Sequence, residues 1–377
     1  MKTAELVWEN NQWKHHAGER IDSQDAGLIL VFGDLDAIGS DTFREPLMAA
    51  YPRAHIAGAS TAGTIESSGM SEHSLVATVV AFEKGWIKIA VAKGLNNPTL
   101  RERAHELVQS LPKEHLRHVF ILMDGLGGLD ASLLVKGVNS AEKGLCVTGG
   151  LAGEGGEYKR TLVFGDCAPE ERMAVAIGFY GEALHVSVGC ETGWEEFGAE
   201  RIVTRSEGNV IYEIDHKPAI QLYEDYLGDY ISNLPASGLR FPLSVSRYSG
   251  DKEVVRVMMG INPDQSIVFA GDIPQGSVVR LMKTNVTNLI DGAELSAQAV
   301  RRHNEKPSLA IAITCAGRRA VLKQLADGEL EAVQNRLGGQ TRLCGFYSYG
   351  EIAPFSDDLK DCKLHNQTMT LTVVYED

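Results

Sequence analysis

The sequence has no long apolar run and no cluster of positive charge. No stretch approaches the roughly 18 consecutive apolar residues that a membrane-spanning helix requires. The formal net charge is −14, from 50 acidic and 36 basic residues, and no basic block is longer than a pair such as Arg318 and Arg319. Nucleic acids and anionic membrane surfaces attract clustered Lys and Arg. The sequence therefore predicts neither a nucleic acid nor a membrane as a partner.

Cysteine is scarce and dispersed. The chain has 6 cysteines, and none of them forms a C-x-x-C pair. Its first residues contain no apolar segment of the secretory type. Dispersed cysteines without pairing motifs indicate reduced thiols. We therefore expect a cytoplasmic protein.

Histidines at metal-ligand spacing are also few. The two close pairs are His15 with His16 and His115 with His118. A structural zinc site requires four ligands, whereas a polar N-terminal arm and a solvated helix end account for these pairs. The sequence predicts no structural zinc.

What the chain does have is the composition of a folded protein. Its 377 residues are 44% hydrophobic and 23% charged, and this length exceeds one ordinary hydrophobic core. Buried strands alternate with helices, and long strands follow them. We predict a mixed α/β fold in two lobes, with a loosely ordered N-terminal arm at 1–26 and domains at 27–205 and 206–377.

The clearest internal feature is a repeated strand that ends in a glycine turn. Residues 55–65 (HIAGASTAGTI) and 342–352 (RLCGFYSYGEI) share both glycines and the closing isoleucine. Residues 149–156 (GGLAGEGG) form a shorter relative. Each copy lies in a unit of strand, helix, strand, glycine turn and long strand. The agreement in order and spacing indicates that this unit is duplicated.

With these motifs in view, the chain resembles the FIST family of sensory proteins, which combine an N-terminal and a C-terminal FIST domain. The N-terminal marks are 56–63 (IAGASTAG), 149–153 (GGLAG) and Gly193 with Trp194. The C-terminal marks are 210–214 (VIYEI), Pro218 with Ala219, Cys315, 345–351 (GFYSYGE) and 365–368 (HNQT). The resemblance covers nearly the whole chain and implies a sensor of a small molecule such as an amino acid. The chain is also similar to a bacterial branch of stand-alone FIST proteins that bind haem, sense nitric oxide and regulate a partner histidine kinase.

That branch implies a haem ligand among the strand histidines. A haem sensor needs a neutral imidazole that faces an apolar cavity. His185 lies on the less bulky face of a predicted strand, whereas His55 and His365 begin the first glycine strand and the last strand. We rank His185 first as the ligand of haem b iron, with His365 and His55 as alternatives. The competing interpretation for each is a structural histidine whose ring nitrogens are hydrogen-bonded within the fold.

The repeated turns also predict a pocket. Ligands of α/β proteins bind where strands end, so related turns are expected to converge there. The wall would then offer Ser60, Thr61, Tyr347, Tyr349 and Glu351, together with Arg318 or Arg319. In this arrangement Glu351 holds an ammonium group and an arginine holds a carboxylate, which suits an amino acid. The competing interpretation is that Arg318 begins a helix and Glu351 caps a turn.

The catalytic motifs are incomplete. Ser60 lies in GASTA, which departs from the G-x-S-x-G nucleophile motif at Ala62, and Ser348 lacks the first glycine of that motif. Neither serine has an assigned histidine and acid partner. The glycine-rich residues 125–128 and 149–156 follow strands but lack the G-K-[ST] of a phosphate loop. A small-molecule hydrolase is therefore the second alternative, behind a non-enzymatic function.

Together these observations predict a cytoplasmic, non-enzymatic ligand sensor of signal transduction. The most specific expectation, which the resemblance implies, is a haem-based nitric oxide sensor that regulates a histidine kinase or a cyclic-nucleotide signalling enzyme. The alternative is a sensor of an amino acid or another small metabolite without haem. We expect the signal to pass to a separate partner protein, with a homodimer as a further option.

Overall fold

The computed structural model describes the chain except residues 72, 235, 251, 301–307 and 357. It has the mixed α/β architecture predicted from the sequence, with four β-sheets and helices packed on them. In the described part of the chain, no helix is both long enough and apolar enough to cross a membrane.

The strands are numbered along the chain. In the first half they are β1 (Lys2–Glu9), β2 (Gln12–Gly18), β3 (Leu28–Gly33), β4 (His55–Ser60), β5 (Thr64–Glu66), β6 (Gly69–Met70), β7 (Leu75–Ala81), β8 (Trp86–Ala92), β9 (Leu116–Met123), β10 (Val147–Leu151), β11 (Val163–Gly165), β12 (Ala174–Tyr180) and β13 (Leu184–Glu191). In the second half they are β14 (Glu195–Glu207), β15 (Val210–Ile214), β16 (Lys217–Pro218), β17 (Leu243–Ser246), β18 (Val254–Arg256), β19 (Met258–Ile261), β20 (Ile267–Phe269), β21 (Val278–Lys283), β22 (Ser308–Cys315), β23 (Thr341–Ser348), β24 (Glu351–Phe355), β25 (Asp358–His365) and β26 (Met369–Glu376).

The α-helices connect these strands. They are α1 (Leu35–Ser40), α2 (Arg44–Ala50), α3 (Asn97–Gln109), α4 (Ala131–Ala141), α5 (Ile220–Leu227), α6 (Val286–Ala299), α7 (Ala316–Leu322) and α8 (Ala326–Leu337). Short 3₁₀ segments follow at Gly228–Asn233, Ala236–Arg240 and Lys323–Leu325. Helices α3, α4 and α6 begin at polar caps: Asn96, Asp130 and Asn285 each accept a hydrogen bond from a first-turn amide.

The strands assemble into four sheets. The first has the order β11-β4-β3-β7-β1-β2, and the second has the order β25-β24-β10-β9-β12-β8. The third has the order β13-β26-β22-β23-β5-β6. The fourth has the order β18-β17-β21-β14-β15-β20-β19, with β16 paired to β15.

The first three sheets share one arrangement of three strands. β4, β3 and β7 lie side by side in the first sheet, β10, β9 and β12 in the second, and β23, β22 and β26 in the third. In each set the first two strands are parallel and the third is antiparallel. β3 and β22 are buried along their whole lengths, as strands covered on both faces are. The duplication itself stays a prediction, and this matching order is what repeated units would give.

One glycine in each parallel pair permits the two backbones to approach closely. A Cβ added at Gly58 would lie 1.8 Å from the Val31 carbonyl oxygen, and one added at Gly345 would lie 1.8 Å from that of Ala312. At Gly149 the corresponding distance, to a backbone oxygen of β9, is 1.9 Å. Any side chain there would force the strands apart. This steric requirement explains why a glycine stands at the same place in all three sequence motifs.

The N-terminal residues are ordered, so the expectation of a loose arm at 1–26 is wrong. β1 pairs with β2 as a hairpin and also pairs with β7, which places it inside the first sheet. Its side chains are buried from Thr3 to Trp8. Trp8 also packs against Trp13 of β2, with ring centroids 5.1 Å apart. The burial of this apolar strand outweighs the polar character of the residues around it.

The two halves of the sequence are interlocked. β5, β6 and β13 lie in the third sheet with C-terminal strands, while β24 and β25 join the second sheet. Phe32 and Phe346 pack between the first and third sheets, with centroids 4.7 Å apart. The fourth sheet forms a separate core with α5 that includes Val203, Tyr223 and Phe269. Because two sheets combine strands from both predicted domains, the boundary between 27–205 and 206–377 stays a prediction.

Candidate functional site

The three glycine turns meet where β4, β10 and β23 end. The Ala62 amide donates to the Tyr347 carbonyl at 2.9 Å, and the Tyr347 amide donates to the Gly63 carbonyl at 2.7 Å. The Gly153 amide donates to the Ser60 carbonyl at 3.0 Å. These backbone hydrogen bonds join the turns into one unit, which we call the turn junction. Its position at the carboxyl ends of parallel strands is where α/β proteins bind ligands.

A cavity of about 390 Å³ lies beside the turn junction. One wall is the loop between β9 and α4, which includes Leu126 and Asp130. A second wall comes from the fourth sheet and includes Met259. The turn junction itself contributes Leu151 and Tyr349. This volume falls in the range of about 300–1,000 Å³ that small-molecule sites occupy, and we call it the junction cavity.

The wall of the junction cavity is mainly apolar. Leu126, Leu151, Val268 and Met259 supply aliphatic surface. Asp130 is the one carboxylate among the described lining residues, which include no Lys, Arg or His. Its Oδ1 also accepts the first-turn amide of α4 at 2.9 Å, which fixes the carboxylate in place. An apolar wall with one carboxylate suits a neutral or positively charged organic molecule better than an anion.

Tyr349 places a fixed phenol at the edge of the junction cavity. Its hydroxyl donates to Glu154 Oε1 at 2.6 Å, and its ring stacks on that of Tyr158 with centroids 5.3 Å apart and planes at 14°. Burial, with the hydrogen bond to Glu154 second, raises the pKa of Tyr349, so the phenol stays neutral. Glu154 also accepts the amides of Gly156 and Tyr158. The two rings therefore present a rigid aromatic surface to the cavity.

Ser60 and Thr61 lie in the turn junction and are not among the described lining residues of its cavity. The Ser60 hydroxyl donates to the Gly153 carbonyl at 2.8 Å and accepts the Leu162 amide at 3.0 Å. The Thr61 hydroxyl donates to the Gly33 carbonyl at 3.3 Å. Both side chains are buried. These contacts stabilise the first turn, and a role of either residue in ligand binding stays a prediction.

Arg318 and Tyr347 belong to a buried network next to the turn junction. Arg318 Nε and Nη2 lie 2.9 and 2.8 Å from Glu329 Oε2. Nη1 also donates to the Thr192 carbonyl at 2.6 Å, and Nη2 donates to the Leu289 carbonyl at 2.7 Å. The Tyr347 hydroxyl donates to Glu329 Oε1 at 3.0 Å. Since Arg318 and Tyr347 are both 0% exposed, the guanidinium serves the interior of the protein.

Glu351 is buried as well, and protein donors surround its carboxylate. The Ser348 hydroxyl donates to Oε1 at 2.6 Å, while the hydroxyl and amide of Thr368 donate to Oε2 at 2.9 and 3.2 Å. Burial raises the pKa of Glu351 to about 7, although these hydrogen bonds oppose the rise. Glu351 thus joins the third turn to the start of β26.

Two of the three candidate histidines make structural contacts. His365 is buried, its Nε2 lies 3.0 Å from the Ala353 carbonyl, and burial lowers its pKa to about 4. His185 lies on β13 with its Nε2 2.6 Å from the Asp377 carboxylate and its ring stacked on Tyr375. Neither is among the described residues that line the junction cavity.

His55, in contrast, lines a second cavity, of about 480 Å³. Its Nδ1 lies 2.6 Å from the carboxylate of Asp166, so Nε2 is the ring nitrogen that a metal could bind. Met48 and Tyr51 add apolar surface to this cavity, and Arg53 adds a cation. A carboxylate that orients the imidazole is the usual companion of a metal-binding histidine. Of the three candidates, His55 is the one that combines a cavity with this arrangement.

Most of the junction cavity wall could not be recognised in the sequence. Asp130, Tyr158 and Met259 come from segments whose patterns predict only a helix start, a turn and a strand. The wall forms because the fourth sheet docks on α4, where Lys136 pairs with Asp272 at 2.6 Å. Such a long-range contact has no local signal. The glycine-rich residues 125–128 are the one hint, since a loop after a buried strand often borders a ligand site.

The two halves of the chain match the two domain models of one family. The FIST N domain model matches residues 27–217, and the FIST C domain model matches residues 219–354. The chain is also similar to the uncharacterized protein MJ1623 of Methanocaldococcus jannaschii, with 25% identity over 179 residues. That alignment covers 42% of this chain and 33% of that protein, so the chain spans about a third of the length of this relative.

Proposed function

The chain belongs to the FIST family, whose domains are associated with signal transduction and small-ligand sensing, and we propose that it is a sensor of a small metabolite. The observation that carries this proposal is the junction cavity of about 390 Å³. It lies where the three glycine turns of the two FIST domains meet. Its aliphatic and aromatic wall, with few polar groups, has the composition of a site for an organic ligand.

The charges around the junction cavity define the class of ligand. Asp130 offers one carboxylate, while Tyr158 and Tyr349 offer a stacked aromatic surface. Neither nearby arginine is available to a ligand: Glu329 and backbone carbonyls engage the Arg318 guanidinium. The buried Arg256 interacts with Asp130, but Asp272 and backbone carbonyls engage it as well. We therefore propose a neutral or ammonium-bearing metabolite, held by apolar contact and oriented by Asp130. A free amino acid would lack a cationic partner for its carboxylate among the described lining residues.

Ligand binding would be transmitted because the junction cavity has walls on two parts of the molecule. The loop before α4 and the fourth sheet face each other across it, and Lys136 pairs with Asp272 between them at 2.6 Å. A ligand that touches both walls favours one arrangement of the two parts. A partner responds if its affinity differs between the arrangements. We propose a histidine kinase or a cyclic-nucleotide signalling enzyme as this partner.

The test is a thermal-shift screen of neutral and amine-bearing metabolites against two matched variants. Met259 lines the junction cavity and is 49% exposed, so Met259→Trp can fill the cavity without disturbing a core. Ile261 lies on the same strand, is 37% exposed and is not among the described lining residues. We expect stabilising metabolites to lose their effect on Met259→Trp and to keep it on Ile261→Trp. Equal responses of the two variants would place binding elsewhere.

Haem binding, with nitric oxide as the sensed ligand, is the second candidate, and the His55 arrangement favours it. Asp166 holds the His55 ring through Nδ1, and Arg53 offers a cation that suits a carboxylate of a bound cofactor. When bound, haem would supply the iron centre that takes up nitric oxide. The other candidates, His185 and His365, line neither the junction cavity nor the cavity beside His55, so we propose His55 as the ligand in this case.

Visible absorption during haem addition tests this second candidate. His185→Ala is the matched control for His55→Ala, because each imidazole lies 2.6 Å from an aspartate. A Soret band that forms with wild type and His185→Ala and is lost with His55→Ala supports the proposal. A protein that stays colourless, or a band retained by His55→Ala, refutes it.

A further inference from the structure

A cluster of metal-binding side chains lies outside the described lining of the junction cavity. His16 is on β2, Glu66 ends β5, and His73 precedes β7. One ligand atom from each of the three lies within 4.8 Å of the other two. The rings of His16 and His73 meet edge to face, with centroids 5.5 Å apart and planes at 71°. Three segments of the chain thus bring two imidazoles and a carboxylate to one point.

The carboxylate of Glu66 is an independent observation that points to a cation-binding site. Glu66 is only 5% exposed. Its Oε1 accepts the Ser68 hydroxyl at 2.6 Å, but among the described residues its buried Oε2 has no hydrogen-bond partner. A buried carboxylate oxygen without a partner carries a desolvation cost that a bound cation would offset.

Further carboxylates make the surroundings of the cluster negative. Glu5 is buried, and its Oε1 lies 4.0 Å from His16 Nε2. Glu9 Oε1 lies 3.6 Å from His73 Nδ1. Two cations oppose them: Lys14 Nζ lies 2.7 Å from Glu9 Oε2, and Arg342 donates to the Ser67 hydroxyl at 2.7 Å. With Glu66 included, three carboxylates face two cations, and the excess negative charge attracts a divalent cation.

We propose that His16, Glu66 and His73 bind a divalent first-row transition-metal ion of the Zn²⁺ class. Two imidazoles and one carboxylate form a donor set typical of zinc with an open fourth position. Donors at 2.0–2.1 Å from a tetrahedral ion lie about 3.4 Å apart, so the cluster must contract slightly. His16 and His73 can make this movement because their side chains are 36% and 27% exposed. The fourth position is open to water or to Glu5.

The paired β1–β2 hairpin contradicts the expectation that His15 and His16 belong to a loose arm, and the proposed site departs from the prediction of no structural zinc. The β1–β2 hairpin directs His16 toward Glu66, which belongs to the third sheet, whereas β2 belongs to the first. A bound ion would therefore fasten the N-terminal hairpin to the sheet that carries the third glycine turn. The predicted consequence is a metal-dependent gain in thermal stability.

Zn²⁺ titration of metal-free, tag-free protein by isothermal calorimetry tests the proposal. His15→Ala is the matched control, since His15 is an exposed neighbour on the same strand and lies outside the cluster. We expect one ion per chain for wild type and for His15→Ala. His16→Ala and His73→Ala should raise the dissociation constant at least about tenfold, as loss of site residues does. Wild-type protein that binds no Zn²⁺, or variants that bind like wild type, would overturn the site.

Co²⁺ in place of Zn²⁺ gives a second readout that does not depend on calorimetry. A tetrahedral Co²⁺ with imidazole ligands shows visible absorption that is much stronger, and at longer wavelength, than the weak band of octahedral aqueous Co²⁺. This absorption should appear with wild type and be lost with His73→Gln, which keeps a polar side chain of similar length. Far-UV circular dichroism of the metal-free variants should match wild type. An unchanged Co²⁺ spectrum in His73→Gln would refute the assignment of His73.

Discussion

Glu329→Gln removes the negative charge that faces the buried guanidinium of Arg318. Both side chains are 0% exposed, and two guanidinium nitrogens lie 2.9 and 2.8 Å from Glu329 Oε2. The Tyr347 hydroxyl donates to Oε1 at 3.0 Å. A glutamine cannot accept all of these donors, because its amide nitrogen is itself a donor. The substitution therefore leaves a buried cation without its counter-ion.

The cost of this change follows from the burial of the pair. Breaking one side of a buried ion pair costs about 3–5 kcal/mol. Arg103 and Glu106 on α3 give a matched comparison, since they pair at 3.2 Å with side chains 44% and 63% exposed. An exposed pair of this kind contributes less than about 0.5 kcal/mol. Glu329→Gln should therefore lower the free energy of unfolding by about 3–5 kcal/mol, and Glu106→Gln by less than about 0.5 kcal/mol.

Urea unfolding, followed by tryptophan fluorescence and circular dichroism, measures both effects at constant m-value. A double-mutant cycle with Arg318→Met should give a coupling of about 2–3 kcal/mol between Arg318 and Glu329. A loss for Glu329→Gln as small as that for Glu106→Gln would contradict the assignment of Arg318 to the interior. It would return Arg318 to the candidates for ligand binding.

Three further changes test the turn junction by urea unfolding. Burial raises the pKa of Glu351 from 4.5 to about 7; the native state therefore binds its proton more tightly than the unfolded chain does. The free energy of unfolding should fall by about 3 kcal/mol as pH rises from about 4.5 to above 7, and Glu351→Gln should remove this fall. Gly345→Ala places a Cβ 1.8 Å from a carbonyl oxygen and should lower the free energy of unfolding by about 4 kcal/mol. In Gly155→Ala the added Cβ meets no described atom within 4 Å, so the loss should be less than about 0.5 kcal/mol. Tyr349→Phe removes the 2.6 Å hydrogen bond to Glu154 and should cost about 1–2 kcal/mol. A free energy of unfolding that does not change with pH in wild type would contradict the raised pKa of Glu351. Equal losses of stability for Gly345→Ala and Gly155→Ala would contradict the close backbone approach at Gly345. A Tyr349→Phe protein as stable as wild type would contradict a stabilising hydrogen bond to Glu154.

The elements set by local pattern could be predicted from the sequence. The shared glycines of residues 55–65 and 342–352 indicate related turns, and the structure joins Ala62 to Tyr347 there. Gly58 and Gly345 are required because parallel backbones meet at them, which is a constraint that acts within one strand pair. The mixed α/β class follows in the same way from the alternation of strands and helices.

The contacts set by distant parts of the chain could not be predicted. Arg318 is a plausible ligand-binding residue in the sequence, but α8 brings Glu329 against it and buries both. The polar residues of β2 suggest a solvated arm, yet pairing with β1 gives His16 a fixed position near Glu66. Asp130 faces a cavity only because the fourth sheet docks beside it. In each case tertiary packing decides the role of the side chain, which its own local sequence pattern does not specify.

The central claim is that the junction cavity binds a small metabolite. Isothermal titration of the most stabilising metabolite into wild type, Met259→Trp and Ile261→Trp measures it directly. We predict that the dissociation constant of Ile261→Trp stays within about twofold of wild type, whereas that of Met259→Trp rises at least about tenfold. The reason is that, of these two residues, Met259 is the one among the described lining residues of the cavity. Equal affinities of all three proteins for that metabolite would contradict the claim.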